Sequence, residues 1–454
     1  MRGIALLLLA CLAGCVAPPT PAGTPPPVPG ARPITDVGYH NEPFVAVDPI
    51  RPASVVAIWQ VPATTAWSAD SGRTWATVPL PDTTAWAMSG DPSVYFDADG
   101  HAYALYIAFG RPLNYDTLGK DAPPNGIFVN RSDDGGRTWR AAPTAVIRQP
   151  ARAGVPFEDK PMAAVDRYAD PARRGNLYVA WTEFRRHESV ILFARSTDGG
   201  RSFSAPVLVS DRTGSPKDTV GAEEGTDVAV GPDGSVYVVW SDSLGIWIDR
   251  SDDAGRHFGA DRLVAHTPDI VFSIPGIERA NGYPGVEVDP RSGRLYVAWV
   301  DPRRGAPTVF LATSGDRGAT WSPPREVGGQ TRTDSLPRFF SSISFDPSTT
   351  RLALGYYHVL PSGEMRYELA WSDDAGRSFD RLPWGAPFTG NGEFLGDYTG
   401  VDAADGLIYG AWTELASPPS SAPSAAEHEP VRARVVVGRA GPQEGRTPLQ
   451  AAPR

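Results

Sequence analysis

Cysteine is almost missing from this 454-residue chain: only Cys11 and Cys15 occur, both within the first fifteen residues. A disulfide framework and a thiol site are thereby excluded from the folded part, which packing alone must hold together. Lysine is nearly as scarce, with only Lys120, Lys160 and Lys217. Acidic residues number 52 against 42 basic ones, for a net charge of −10, and no segment concentrates the basic residues. Nucleic-acid binding needs a clustered positive footprint that displaces counterions, so no nucleic-acid partner is expected. The apolar run Ile4 to Ala13 is about ten residues long, too short to span a bilayer. The seven histidines lack metalloprotease spacing, and no Gly-x-Ser-x-Gly elbow, Walker loop or dinucleotide fingerprint stands in a strand-to-helix context. Helical periodicity is absent between the termini.

Turn formers and aromatics are abundant instead. Gly and Pro together account for 93 residues, which calls for many turns, and the 13 Trp, 15 Tyr and 17 Phe have to be buried somewhere, so the chain folds. At the N-terminus Arg2 and the apolar run lead to Leu12-Ala13-Gly14-Cys15, which resembles a bacterial lipoprotein signal. The expectation is a signal peptide over 1–14, lipidation of Cys15 and a Pro-rich tether over 15–33. An ordinary signal peptide cleaved nearby is the alternative. Either way the protein is expected to be exported; the lipoprotein reading makes it a membrane-anchored protein of the bacterial cell envelope. A second Pro/Ser-rich stretch, 417–430, reads as a surface loop, residues 441–454 as a disordered tail, and 34–440 as one domain.

Within that domain Ser-x-Asp-x-Gly-x-x-(Trp/Phe) occurs six times, centred on Asp70, Asp134, Asp198, Asp253, Asp316 and Asp374, at spacings of 64, 64, 55, 63 and 58 residues. A second signature, an alternating apolar strand, a turn and a strand ending in Ala/Val-Trp, recurs seven times with markers at Asp48, Asp97, Asp166, Gly231, Asp289, Asp346 and Asp402. Each unit reads as strand, turn, strand, loop, strand, box, strand. Four short strands repeated at about 60 residues predict an all-β fold, a β-propeller of four-stranded antiparallel blades with the boxes between third and fourth strands. Seven blades are preferred over six. The last unit lacks a box and a clear fourth strand, so an N-terminal strand near Ile34–Tyr39 is expected to close the ring. In each box the Asp caps backbone N–H groups, Gly takes a positive φ and the aromatic residue packs into the blade, so all six aspartates are structural.

Over about residues 41–438 these boxes resemble the Asp-box, or bacterial neuraminidase repeat, of the sialidase superfamily. That resemblance implies a propeller and an exo-α-sialidase type of chemistry: a Tyr nucleophile activated by Glu, a separate Asp as acid/base, and several Arg side chains clamping the sugar carboxylate. The family's Arg-Ile-Pro motif is absent, the first blade opening instead with Asn41-Glu42-Pro43, and none of the family's catalytic residues carries over by motif.

Candidates therefore come from position and residue type, at the loops that converge on the axis. Asp91 is assigned as acid/base and Tyr398 as nucleophile, with Glu183 or Glu224 as its base. Arg185, Arg279, Arg303 and Arg338 are candidate anion clamps, and Asp159 and Asp397 complete the substrate-binding set. Carboxylates around one concavity raise one another's pKa, which suits acid/base work. No cofactor is required; calcium is the cation such a ring could take. Two readings stay open: an exo-glycosidase of sialidase type, and a non-catalytic propeller that binds a glycan, a peptide or an envelope protein. The chain is expected to be a monomer.

Overall fold

Seven four-stranded antiparallel sheets follow one another along the chain in a computed structural model that describes residues 30–81, 86–111, 118–150, 152, 154–168, 170–218, 221–268, 270–328, 336–416 and 432–441. The signal segment with Cys15, the loop 417–430 and the tail beyond 441 lie outside the described residues. Blades are numbered here in chain order. Their first strands, Asn41–Val47, Met88–Phe96, Phe157–Val165, Glu224–Val230, Gly285–Val288, Arg338–Asp346 and Gly400–Ala404, touch their neighbours in a ring in which blade 7 meets blade 1. The fold is a seven-bladed β-propeller, and among the described residues the only helix is Leu118–Asp121.

Closure is made by Ala31–Pro33, which pairs with Ala433–Ala440 as the fourth strand of blade 7. The expected closing strand lay slightly later, at 34–39, with 31–33 placed in the tether. The pairing instead begins in that Pro-rich stretch: Arg32 is opposite Val437 and Pro33 opposite Val436 on an outermost edge, where a residue without N–H is tolerated. Beyond it Ile34 N–H, the Thr35 hydroxyl and a bridge between Gly38 and Ala433 continue the contact.

Innermost strands have no further strand on their axial side, so the preceding blade supplies side-chain partners for their N–H groups. Ala163 N donates to the Tyr95 hydroxyl at 2.9 Å, Val286 N to Asp227 Oδ2 at 2.9 Å, Val401 N to Ser342 Oγ at 3.0 Å and Val47 N to Asp402 Oδ2 at 2.8 Å. Leaving these buried groups unpaired would cost about 1–3 kcal/mol each.

The boxes join blades as well as closing turns. In the first, Ser68 Oγ and Thr74 N donate to Asp70 Oδ1, each at 2.8 Å, and Gly72 N donates to Ser68 Oγ at 2.9 Å. The backbone and side-chain hydrogen bonds of Thr74 pull the Asp70 carboxyl down to about 2. In three of the boxes the glycine also sits where the preceding blade leaves no room: a Cβ on Gly376 would lie 2.5 Å from Leu311 Cδ2, one on Gly136 2.4 Å from Val56 Cγ2 and one on Gly255 2.3 Å from Phe193 Cε1. Blade 7 has no box, and fully buried Trp384 fills the corresponding joint, lying over Gly410 and Gly438 and packing against Tyr367 and Trp412.

Candidate functional site at the axial mouth

The first strands of blades 1, 2, 3, 4 and 6 each begin with a β-bulge, between Asn41 and Phe44, Gly90 and Ser93, Asp159 and Met162, Glu224 and Asp227, and Phe339 and Ser342. One residue of each bulge is left-handed: Glu42 (φ 49°), Asp91 (φ 46°), Lys160 (φ 45°), Gly225 (φ 72°) and Phe340 (φ 51°). Pro43, Pro92 and Pro161 follow three of them, where the bulge has left an N–H without a ladder partner. This geometry gathers functional groups from different blades at one end of the axis.

Six carboxylates, Glu42, Asp91, Asp159, Asp218, Glu224 and Asp397, lie in one interacting set with Lys160 and Arg279. Asp397 is its ionised centre. Lys160 Nζ donates to Asp397 Oδ2 at 2.5 Å, Arg279 donates to the same oxygen, and Asn281 Nδ2 donates to Oδ1 at 3.2 Å. Burial opposes the Asp397 charge, but Arg279 and then Lys160 hold its carboxyl below the usual range. For Lys160, burial would lower the amine, and Asp397 and Asp91 raise it well above its ordinary value instead. Burial pushes the carboxyls of Glu42, Asp159 and Glu224 well up, reinforced respectively by Asp91, by Asp91 and by Asp218. The mouth thus combines a fixed ion-pair centre with flanking carboxyls whose affinity for protons is raised.

Tyr283 donates its phenolic proton to Glu224 Oε1 at 2.7 Å, and Lys160 Nζ lies 5.4 Å from the centroid of its ring. A Tyr–Glu pair is therefore present, but it uses Tyr283. Tyr398, expected as the nucleophile, donates to the Pro92 carbonyl at 2.9 Å and packs edge-on against Phe44, so it is tied to blades 1 and 2. A cavity of about 80 Å³ lies between Lys160, Tyr283 and Tyr398.

The structure brings together Asp91, Asp159, Glu224, Arg279, Asp397 and Tyr398 and leaves the other candidates apart. Arg185 pairs with Glu183 at 2.6 Å and Glu188 at 3.1 Å, which occupies both Glu183 and Arg185 within blade 3. Arg303 is held by Asp301 and stacks over Trp299 and Phe310. Arg338 is buried between blades 5 and 6, where its N–H donates to Pro307 O and its Nη1 to Thr308 Oγ1 at 3.4 Å. The expected four-arginine clamp is not assembled, because Arg185 and Arg303 are paired within their own blades and Arg338 is buried at the joint of blades 5 and 6.

Several strand-end carboxylates have the same kind of local duty. Trp181 Nε1 donates to Glu158 Oε2 at 2.6 Å, Trp299 Nε1 to Asp301 Oδ2 at 2.7 Å and Trp412 Nε1 to Glu414 Oε1 at 3.1 Å. A sequence signal was present for two of them: Trp-x-(Asp/Glu) recurs at 181, 240, 299 and 412, and at 299 and 412 the motif's own carboxylate accepts the indole N–H. A residue repeated in every blade supports the blade, whereas mouth residues differ from blade to blade. Applied to the segment Asn281-Gly-Tyr283-Pro284, that distinction would have selected Tyr283.

For a cation, oxygen atoms of Asp159, Asp218 and Glu224 lie within 4.8 Å of one another. This donor set suits a hard ion such as calcium, although Asp218 also receives Arg279 and Glu224 receives Tyr283.

Together the fold and the mouth define a seven-bladed β-propeller with a charged axial mouth. No protein-family model matches the chain, and no curated protein does. Among solved structures it is similar to a protein of unknown function from Dyadobacter fermentans (16% identity over 75% of this chain and 98% of that one, TM-score 0.47), a Hadza microbial sialidase (14%, 86% and 73%, TM-score 0.45) and an ulvan lyase of a new polysaccharide lyase family (13%, 83% and 92%, TM-score 0.49). The likeness is one of fold.

Proposed function

We propose that the chain is a glycan-processing propeller, an exo-glycosidase whose reacting groups lie at the axial mouth. The observation that carries this reading is the 2.7 Å hydrogen bond from Tyr283 to Glu224 beside the proton-retaining Asp159. Glu224, made more basic by burial and Asp218, takes the phenolic proton as Tyr283 Oη bonds to the anomeric carbon. Asp159, with Asp91 against it, gives its proton to the departing glycosidic oxygen as that bond breaks. Water then releases the sugar, with Asp159 as base and the phenolate leaving as Tyr283 recovers the proton from Glu224.

The substrate is a sugar without a carboxylate at the reacting carbon. Arg279 and Lys160 are the cations of the mouth, and both already hold Asp397, which leaves no clamp for a sialoside. Attachment to the bacterial envelope through Cys15 belongs to the same proposal, supported by Leu12-Ala13-Gly14-Cys15.

A panel of fluorogenic glycosides that includes a sialoside, an α-arabinofuranoside and neutral hexosides tests it on the full chain. Turnover of a neutral member is expected, with a loss of about 10²-fold or more in Tyr283→Phe and in Asp159→Asn. Unchanged turnover in Tyr283→Phe would overturn the assignment. No turnover of any member would transfer the mouth to binding alone. That second reading is favoured by the loops around it, which touch through Gly392 N to Gly276 O at 3.0 Å and Glu278 N to Glu393 O at 3.3 Å.

A further inference from the structure

The outer edge of blade 5 carries a charged cleft of the opposite sign. Arg325 in its fourth strand stands opposite Leu311 in the third, and Glu326 opposite Phe310. Opposed residues of an antiparallel pair project to the same side and successive residues to opposite sides, so Arg325 shares a face with Leu311 and Thr313 while Glu326 is turned to the other. Tyr296 is opposite Thr313, which brings Arg294, two residues before it, to the same face. Arg304, from the hairpin between second and third strands, and Arg377, from the box of blade 6, complete the lining of a cleft of about 580 Å³. That volume lies within the range of about 300–1,000 Å³ usual for ligand sites.

None of these four guanidiniums forms an ion pair among the described residues. Arg325 Nη1 donates to Arg377 O at 2.9 Å and Arg377 Nε to Asp374 O at 2.8 Å, both backbone carbonyls that leave the charges uncompensated. Glu326 is the single carboxylate of the lining and belongs to the other face of its strand. On a chain of net charge −10, four arginines without an ion pair gathered around one cleft form an anion receptor. Sequence order hid it, because 294, 304, 325 and 377 are gathered only by the fold.

The cleft's lining has no aromatic residue for stacking bases, and its two-residue edge strand is too short to template an added peptide strand. We propose that the cleft binds an anionic oligosaccharide, whose sulfate or carboxylate groups are taken by Arg294, Arg304, Arg325 and Arg377. The choice of a saccharide rests on the glycan-processing reading; the anion site does not.

The test is calorimetric titration of the full chain with a heparin-derived sulfated tetrasaccharide, its desulfated counterpart, inorganic sulfate, a polyglutamate octapeptide and a single-stranded DNA octamer. The side chains of Arg294 and Arg304 make no hydrogen bond among the described residues, so Arg294→Ala and Arg304→Ala leave folding intact, which thermal melting verifies. Binding of the sulfated tetrasaccharide is expected to weaken with salt and to fall about tenfold in each variant. Sulfate alone should compete, and any hydrolysis at the mouth should be unchanged in both variants. Equal affinity for the desulfated sugar, no binding at low salt, or full affinity in both variants would overturn the proposal. Tighter binding of the peptide or the DNA would overturn the saccharide assignment. Arginine-dependent binding by a chain that hydrolyses nothing would leave the cleft standing and remove the catalytic reading of the mouth.

Discussion

Asp227→Asn should change its effect on stability with pH. Asp227 accepts hydrogen bonds from Val228 N at 2.8 Å and Val286 N at 2.9 Å, the second being the link from blade 4 to blade 5. Burial nonetheless pushes its carboxyl up to about 7, against about 3.9 in an unfolded chain. The folded state therefore binds this proton more tightly. The resulting stabilisation is fully present below about pH 4 and is lost as pH rises through 7. Between pH 5 and pH 8 the wild-type chain crosses about two units of that window, which corresponds to about 3 kcal/mol at 1.36 kcal/mol per unit. Asparagine has no proton to lose, so its contribution is flat, and it forgoes one good acceptor at a cost of about 1–3 kcal/mol. The variant should thus be the less stable chain at pH 5 and draw level with or pass the wild type at pH 8. With an unfolding entropy of about 2.1 cal/mol/K per residue, 1 kcal/mol shifts the melting temperature of a domain of this length by about 1 °C. Melting curves of both chains at the two pH values should show the difference in melting temperature changing by about 3 °C in favour of the variant. Titrating groups away from Asp227 are common to both chains and cancel in this comparison, while Glu287, whose carboxyl the Asp227 charge helps push up, is eased in the variant. A difference that stays constant from pH 5 to pH 8 would refute the reasoning.

Gly376→Ala should destabilise the joint between blades 5 and 6 by about 1–3 kcal/mol or more, since it combines a left-handed residue with a Cβ at 2.5 Å from Leu311. Gly363→Ala, with a positive φ but open space around it, should show the backbone part alone, and equal losses in melting temperature would contradict a packing role. A chain that begins at residue 40 loses the Ala31–Pro33 strand and exposes the edge of Ala433–Ala440; it should melt lower and associate in a concentration-dependent way by sedimentation, and an unchanged melting temperature would remove the closing role. Asp91→Gly relieves a left-handed non-glycine residue, worth about 1–2 kcal/mol and partly offset by the greater freedom of the unfolded chain. Its melting temperature should hold or rise while turnover falls, whereas a markedly lower melting temperature with intact turnover would reverse the assignment.

The architecture was legible because its determinants are local. In the box every bond connects residues two to four apart, as in Ser68 to Asp70 and Thr74 to Asp70, so the motif survives as a fixed string and its recurrence counts the blades. Trp299 with Asp301 and Trp412 with Glu414, two positions apart, are legible for the same reason. The mouth was legible only in part. Glu42-Pro, Asp91-Pro and Lys160-Pro mark the bulges that begin first strands, but which side chains meet across the axis depends on contacts between distant blades. Asp397 reaches Lys160 across 237 positions and Tyr283 reaches Glu224 across 59. The arginine clamp failed for a related reason. A charged residue at a strand end chooses the nearest carboxylate, as Arg185 does with Glu183, and sequence position alone does not separate that local pairing from an inward one.

The distribution of strain supports the functional weight placed on the mouth. A left-handed bulge residue is accommodated by glycine without steric cost, and blade 4 does so with Gly225. Blades 1, 2 and 3 place Glu42, Asp91 and Lys160 there instead, each with φ between 45° and 49°, and each charge is then buried beside the others. Backbone strain and desolvation both oppose folding at these three positions, while a Gly-Pro pair would satisfy the bulge in every case. The ion-pair centre offsets part of that opposition, but it engages Lys160 and leaves Glu42 Oε2 buried without a hydrogen-bond partner. Stability therefore does not account for the residues chosen. What they achieve jointly is a set of charged and acidic side chains fixed around an ion-pair centre at the axial mouth, next to a tyrosine whose proton already points at a base.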